Sequence, residues 1–188
     1  MQAVFFEVQP HPGHMGHYFE HVDRLRPVLT QHDGMVWIDR FRPIGRDDAL
    51  LSHQLWRDET AIAGWRLDPN HKVSQSAGRH RHFAQYRIRV AALVGHSEHG
   101  APPQMETYAD IATDNFLLVS HLNQAPASDG FESVNRAGAF LTMQDLVGAD
   151  AARAALNAQR HAPGVVSCNL FHVHRDYGLH DRAQAPTP

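Results

Sequence analysis

Histidine is the residue type through which this sequence could do chemistry. It supplies 16 of the 188 residues, and imidazole is the side chain whose ordinary titration falls between about pH 5 and 8. Four histidines, His11, His14, His17 and His21, run together near the amino terminus. On a helix His14, His17 and His21 occupy about a 60° sector, and the His17/His21 pair has the i, i+4 spacing that chelates a divalent metal. No cysteine or second carboxylate completes the set locally beyond Glu20, so the three are weak metal candidates and equally a polar flank or the rim of a pocket. His80 and His82, and again His172 and His174, are spaced to share one side of a strand. Cys168 is the one cysteine. It rules out an internal disulfide and sits among apolar neighbours, where a thiol is inert. Phosphate-binding glycine loops, nucleophile elbows and paired-carboxylate motifs are absent from the sequence.

Positioning elements follow from periodicity. Ala3 to Val8 alternate as a strand with Val4, Phe6 and Val8 on one side, ending at Pro10-His11-Pro12-Gly13. Tyr18, Phe19, Val22, Leu25 and Leu29 take helical spacing, with a stop near Gly34 and a kink or early end expected at Pro27. Met35 to Arg42 and Ala49 to Arg57 form a hairpin. Asp58 caps a helix carrying Ile62 and Trp65 as far as Asp68-Pro69, His71 to Arg79 resumes helix, and His80 to Ala92 is a long strand.

Strand, helix, strand, strand, helix, strand is the order of a ferredoxin-like split βαβ unit, an α+β fold with an antiparallel sheet and helices on one face. Apolar residues on both sides of several strands (Phe5 and Phe6, Trp37 and Ile38) require a second sheet on the open face. That sheet comes from a second copy of the chain or from a second module. Residues 1–94 form the first domain and 95–104, rich in Gly and Pro, a linker. Residues 105–182 form a second, divergent ferredoxin-like module, and 183–188 a disordered tail. Within the second module Phe116 to Leu122, Ala139 to Val147 and Val165 to His174 read as strands and Ala149 to His161 as a helix. Gly34-x-Val36 with Phe41 is echoed by Gly164-x-Val166 with Phe171, a hint of duplication.

Composition narrows the partners. With 17 Lys and Arg against 20 Asp and Glu the formal charge is -3, which gives no basic excess for nucleic acid. No run approaches the 18 or so apolar residues that span a bilayer. The first residues lack the basic start of a signal peptide, so a cytoplasmic protein without a membrane partner is expected. Arginine in place of lysine, with abundant alanine, fits a GC-rich bacterial genome.

Residues 1–92 resemble the antibiotic biosynthesis monooxygenase family of the dimeric α+β barrel superfamily. The resemblance lies in the order of elements, in Asp33-Gly34-Met35-Val36, and above all in Leu55-Trp56-Arg57-Asp58-Glu59 with Ala63-Gly64-Trp65-Arg66, His71, Gln75, Gly78-Arg79, Phe83 and Tyr86-Arg87-Ile88-Arg89-Val90. It implies a barrel closed by a homodimer, unless the two halves of one chain close it. It also implies a pocket between helices and sheet, and oxidation of a small aromatic or quinone-type molecule by dioxygen as co-substrate, with no cofactor. Such chemistry needs a general base, donors for the developing anion and a water-poor pocket. Trp65, Phe6 and Tyr18 are then the pocket residues, His71 the base, and Arg79 and Tyr86 the groups that steady the anion. The alternatives are structural: Trp65 as plain core, and His71 and Arg79 as braces of the second helix. A non-catalytic ligand-binding or oligomerisation module of the same fold, marked by a pocket filled by Trp56, Trp65 and Phe83, is the competing reading. The related haem-degrading enzymes use an Asn, a Trp and a His, and Ala3 to Val8 contains no Asn, which argues against haem chemistry.

Overall fold

The computed structural model describes residues 1–106, 114–127 and 129–186. Its first half has strand β1 (Gln2–Pro10), helix α1 (Met15–Thr30), strands β2 (Met35–Pro43) and β3 (Leu50–Trp56), and helices α2 (Glu59–Leu67) and α3 (Pro69–Ala77). A single π-helical turn at Gly78–His82 then leads into β4 (Phe83–Glu98). The second half has short β5 (Gln104–Met105), then β6 (Asn115–Leu122), β7 (Phe131–Ser133), β8 (Phe140–Val147), α4 (Ala149–Gln159) and β9 (Val165–Gly178).

Strand neighbours run β1-β3-β2-β7-β8-β6-β9-β4, and β4 pairs in turn with β1, so the antiparallel sheet closes on itself as an eight-stranded barrel. The order β4-β1-β3-β2 is the ferredoxin-like sheet expected of the first half, and β9-β6-β8-β7 repeats it in the second. In that second copy the described residues between β6 and β7, 123–127 and 129–130, stand where the first copy has α1, and they are not helical. The copies join through a short β2/β7 pairing (Phe41 opposite Ser133, Pro43 opposite Phe131) and a long β4/β9 pairing from Arg87/Gly178 to Glu98/Ser167. Closure occurs within one chain, which removes the structural reason for expecting a homodimer.

Period-two alternation sends the two faces of each strand to different cores. Ala3, Phe5, Phe41, Leu51 and Ala91 of the first half meet Leu117, Val119, Leu141 and Phe171 of the second inside the barrel. The opposite face of the first sheet, with Val4, Ile38, Trp56 and Val90, packs against Leu29, Ile62 and Trp65 of the helices. Leu156 and Ala152 of α4 cover the second sheet against Phe116, Leu118 and Leu170.

Several expectations change. Pro27 neither ends nor shortens α1, which runs to Thr30. The supposed linker 95–104 begins inside β4 and ends in β5. His80 and His82 lie in the π turn rather than on a strand. The echo between residues 34–41 and 164–171 joins strands that do not correspond in the two copies. What it records is a shared turn after a helix, with Gly34 at φ 93° and Gly164 at φ 76°, a region that favours glycine. Of the expected disordered tail, residues 183–186 are placed against the first domain, where the Pro186 carbonyl accepts from Arg66 Nη2 at 3.1 Å. Residues 187–188 lie outside the described residues.

Candidate functional site

A cavity of about 570 Å³ lies between α1, α2, α3 and the outer face of the first sheet, within the size range of small-molecule sites. Its floor is set by strand register. Arg40, Ser52, Phe6 and Ile88 stand side by side across β2, β3, β1 and β4, with Ile38, Gln54, Val4 and Val90 in the next row. The helices contribute Tyr18, Val22 and Leu25 from α1 and Ile62 and Trp65 from α2. Trp56, Trp65 and Phe83 all line the space without filling it.

Local caps position His71. The Asp58 carboxylate accepts from Ala61 N at 2.8 Å and starts α2. Asp68 accepts from Asn70 N at 2.8 Å and His71 N at 3.0 Å, with Pro69 at the first helical position, and starts α3, a pattern that satisfies the free amides of a helix start. His71 therefore sits one turn into α3, directly over Trp65, the rings stacked at 4.2 Å and 16°. Its Nδ1 is 2.9 Å from the Trp65 carbonyl. The same Nδ1 is 3.0 Å from Gln75 Nε2; in the tautomer protonated at Nδ1 the ring donates to the Trp65 carbonyl and Nε2 is its acceptor. Burial lowers the His71 pKa to about 4, only partly offset by the hydrogen bond to Trp65, so the ring is neutral at neutral pH.

All six residues singled out from the sequence, His71, Arg79, Tyr86, Trp65, Phe6 and Tyr18, line this one cavity. Arg79 is exposed at its rim. The Tyr86 hydroxyl accepts from Arg182 Nη1 at 2.8 Å. Arg182, with Tyr177 and Pro186, brings the carboxyl-terminal segment into the wall. Sequence reasoning missed these three, because nothing local ties residues 177–186 to residues 18–90. It also missed Arg40. Burial raises the Tyr18 phenol above its ordinary pKa, while the Arg40 guanidinium, by charge and a side-chain hydrogen bond, pulls it down. An arginine beside Ile38 on the helix-facing side of β2 was the available signal.

The amino-terminal histidines do gather, with a fourth from the π turn. His14 Nδ1 is 3.1 Å from His82 Nδ1, and the His17 and His21 rings lie 4.8 and 5.7 Å from that of His82. His21 Nδ1 accepts from Arg24 at 2.6 Å. Burial first, then Arg24 and His82, lower the His21 pKa. Among the described residues no group of three or more His, Cys, Asp or Glu side chains is arranged to hold a metal ion. His172 and His174 are far from this cluster in their packing: His172 stacks on Phe116 at 4.7 Å. Cys168 is buried beside Ser120, its thiol pKa raised by burial.

Fold and site together define an α+β barrel with an apolar, helix-covered small-molecule cavity on its first half. Residues 1–77 match the family described as antibiotic biosynthesis monooxygenase. A jasmonate monooxygenase of Pyricularia oryzae is 31% identical over 107 residues, which are 57% of this chain and 50% of that protein. The chain thus spans about half the length of the curated relative it matches. Among solved structures, an anthrone oxidase-like protein aligns over 99% of this chain and 96% of its own at 11% identity and TM-score 0.45. A Pseudomonas aeruginosa protein aligns over 57% of this chain and 94% of its own at 12% identity and TM-score 0.42. Among the described residues no helix is long and apolar enough to cross a membrane.

Proposed function

We propose that the chain is a cofactor-independent monooxygenase that oxidises a small aromatic or quinone-type molecule with dioxygen. The observation that carries this reading is the open cavity beside Trp65 and His71, within a domain matching a monooxygenase family. For a substrate methylene flanked by aromatic rings, CH₂ and O₂ give C=O and H₂O. The substrate supplies all four electrons, and the second oxygen atom leaves as water. Protein groups have only to remove the first proton, steady the resulting anion and keep water from the intermediate.

His71 Nε2 takes the proton, yet its pKa near 4 is low for the task. Against a phenol of ordinary pKa about 10 the transfer is uphill by roughly 8 kcal/mol. The anion formed beside it raises the imidazole's basicity, and the nearby cations lower the substrate's pKa. His71 therefore works only together with the cationic groups of the wall, Arg79 at the rim and Arg182 through Tyr86. The relative's name, jasmonate monooxygenase, supports the reaction type for this chain, and the partner is a small molecule rather than another chain.

Oxygen uptake on a panel of hydroquinones and anthrones tests the proposal. Uptake is expected with wild type, and a loss of about 100-fold or more with His71→Ala. Unchanged rates in both His71→Ala and Arg79→Ala remove the assigned roles. The weak basicity of His71 favours one second reading, a non-catalytic ligand-binding module of the same fold, which predicts ligand binding with no uptake.

A further inference from the structure

Charge around the cavity is one-sided. Six arginines and Lys72 line it, and no aspartate or glutamate among the described residues does, although the chain as a whole holds 20 acidic residues against 17 Lys and Arg. Some of these cations are accounted for elsewhere. Arg26 pairs with Asp23 and Arg175 with Glu59. Arg182 donates to Tyr86 and Arg66 to Pro186.

Arg40 differs from all of them. It stands on the cavity floor between Tyr18 and Ser52, with Ser52 opposite it on β3. No carboxylate among the described residues forms an ion pair with it, and its buried Nε has no hydrogen-bond partner. Among the described residues its side-chain partner is the Tyr18 phenol. Arg40 is half-buried with its Nε fully shielded, and a guanidinium so placed without a carboxylate favours an anionic partner. The Ser52 hydroxyl accepts from Gln54 Nε2 at 3.1 Å, which leaves its own proton to donate. Arg40, Tyr18 and Ser52 thus gather donors on a floor whose other residues, apart from Gln54, are Val4, Phe6, Ile38, Ile88 and Val90. A guanidinium fork with two hydroxyls matches a carboxylate better than a neutral oxygen.

We infer that the cavity binds an amphipathic organic acid, its carboxylate seated on Arg40 and the Tyr18 and Ser52 hydroxyls and its apolar ring system against Trp65 and Phe6. This rests on the reading of the cavity as the substrate site, and it narrows the substrate from aromatic molecules in general to those carrying a permanent anion. The anionic head sits at the β2 side of the floor, so the reacting carbon falls toward Trp65 and His71.

Calorimetric titration, under nitrogen so that no turnover occurs, tests it with 2-naphthoic acid and its methyl ester at pH 7.5. The acid is expected to bind at least about tenfold tighter than the ester, the worth of a charge-assisted hydrogen bond. Arg40→Gln abolishes that preference while leaving ester affinity unchanged, which also shows that the variant folds. Tyr18→Phe, which keeps the charge, lowers acid affinity several-fold and ester affinity little; it decides the matter if Arg40→Gln does not fold. Equal affinity for acid and ester, binding of neither, or a preference that survives in Arg40→Gln or is untouched in Tyr18→Phe overturns the inference. A preference for the acid over the ester in a protein that takes up no oxygen with any hydroquinone or anthrone of the panel removes the monooxygenase reading and leaves this one standing.

Discussion

Three imidazoles, His53 buried and His71 and His121 largely covered, contribute to the acid response of the fold. His71 and His121 have pKa values lowered to about 4, in both cases chiefly by burial, and burial with the nearby His121 holds His53 well below its ordinary value. His53 and His121 lie parallel inside the barrel, ring centres 5.8 Å apart, with Trp37 against both. Asp39 and Arg136 are the charged groups that act on His121. Because the folded values lie below the unfolded one, the unfolded chain binds protons first as pH falls. The stabilisation is complete above about pH 6.5 and is lost between there and about pH 4. Urea unfolding at pH 7.5 and 4.5 is expected to show this loss, and His121→Phe is expected to reduce it by on the order of 2 kcal/mol. An acid loss of the same size in the variant would show that His121 is not one of the groups responsible.

Two short helices, α2 and α3, aim the site, and each depends on one aspartate. Asp58 caps α2 and also pairs with Arg57, which reaches Asp33 before β2. Asp68 caps α3 and fixes the backbone of His71. Asp58→Ala is expected to cost about 1 kcal/mol, read as a lower thermal midpoint with far-UV circular dichroism kept. Asp68→Ala is expected to cost a similar amount and to lower oxygen uptake as well, because it frees His71 from its place over Trp65. Equal uptake in the two variants would sever that link. Between α3 and β4 the π turn depends on Gly78, where a Cβ would lie 2.3 Å from the Phe83 ring. The turn carries His82 toward the histidines of α1, an outcome that no strand or helix period encodes.

At the scale of the molecule, each half buries the inner face of the other. A fragment of residues 1–98 would expose Ala3, Phe5, Phe41, Leu51 and Ala91, all of them fully buried in the whole chain, along with the β2 and β4 edges. Such a face and two open edges do not stay in water. The fragment is expected to dimerise or aggregate, and the full chain to unfold in one cooperative transition. A monodisperse folded monomer of the fragment in analytical ultracentrifugation would contradict this account of closure.

The order of elements in residues 1–92, the split βαβ sheet and the need for a second sheet were legible in the sequence, because periodicity and caps are local and because Phe5 beside Phe6 can be satisfied only by two cores. The cavity residues from Phe6 to Tyr86 were legible for the same reason, and through the stretch from Leu55 to Val90 that carries the family resemblance. Arg40 was not: in β2 both faces are covered, so Asp39 pointing into the barrel and Arg40 pointing into the cavity blur the alternation that marks a strand with one wet face. Asp39 is held below its ordinary pKa, against burial, by hydrogen bonds from Asn135, Arg136 and Ser133, partners almost a hundred residues away. Tyr177, Arg182 and Pro186 join the cavity wall by the same long-range route. The amino-acid sequence by itself determined the two kinds of face and the local geometry that brings His71 over Trp65. Only the tertiary structure decided that the barrel closes within one chain and that one wall of the cavity comes from the other half, because strand pairing across a barrel joins residues that no local period connects.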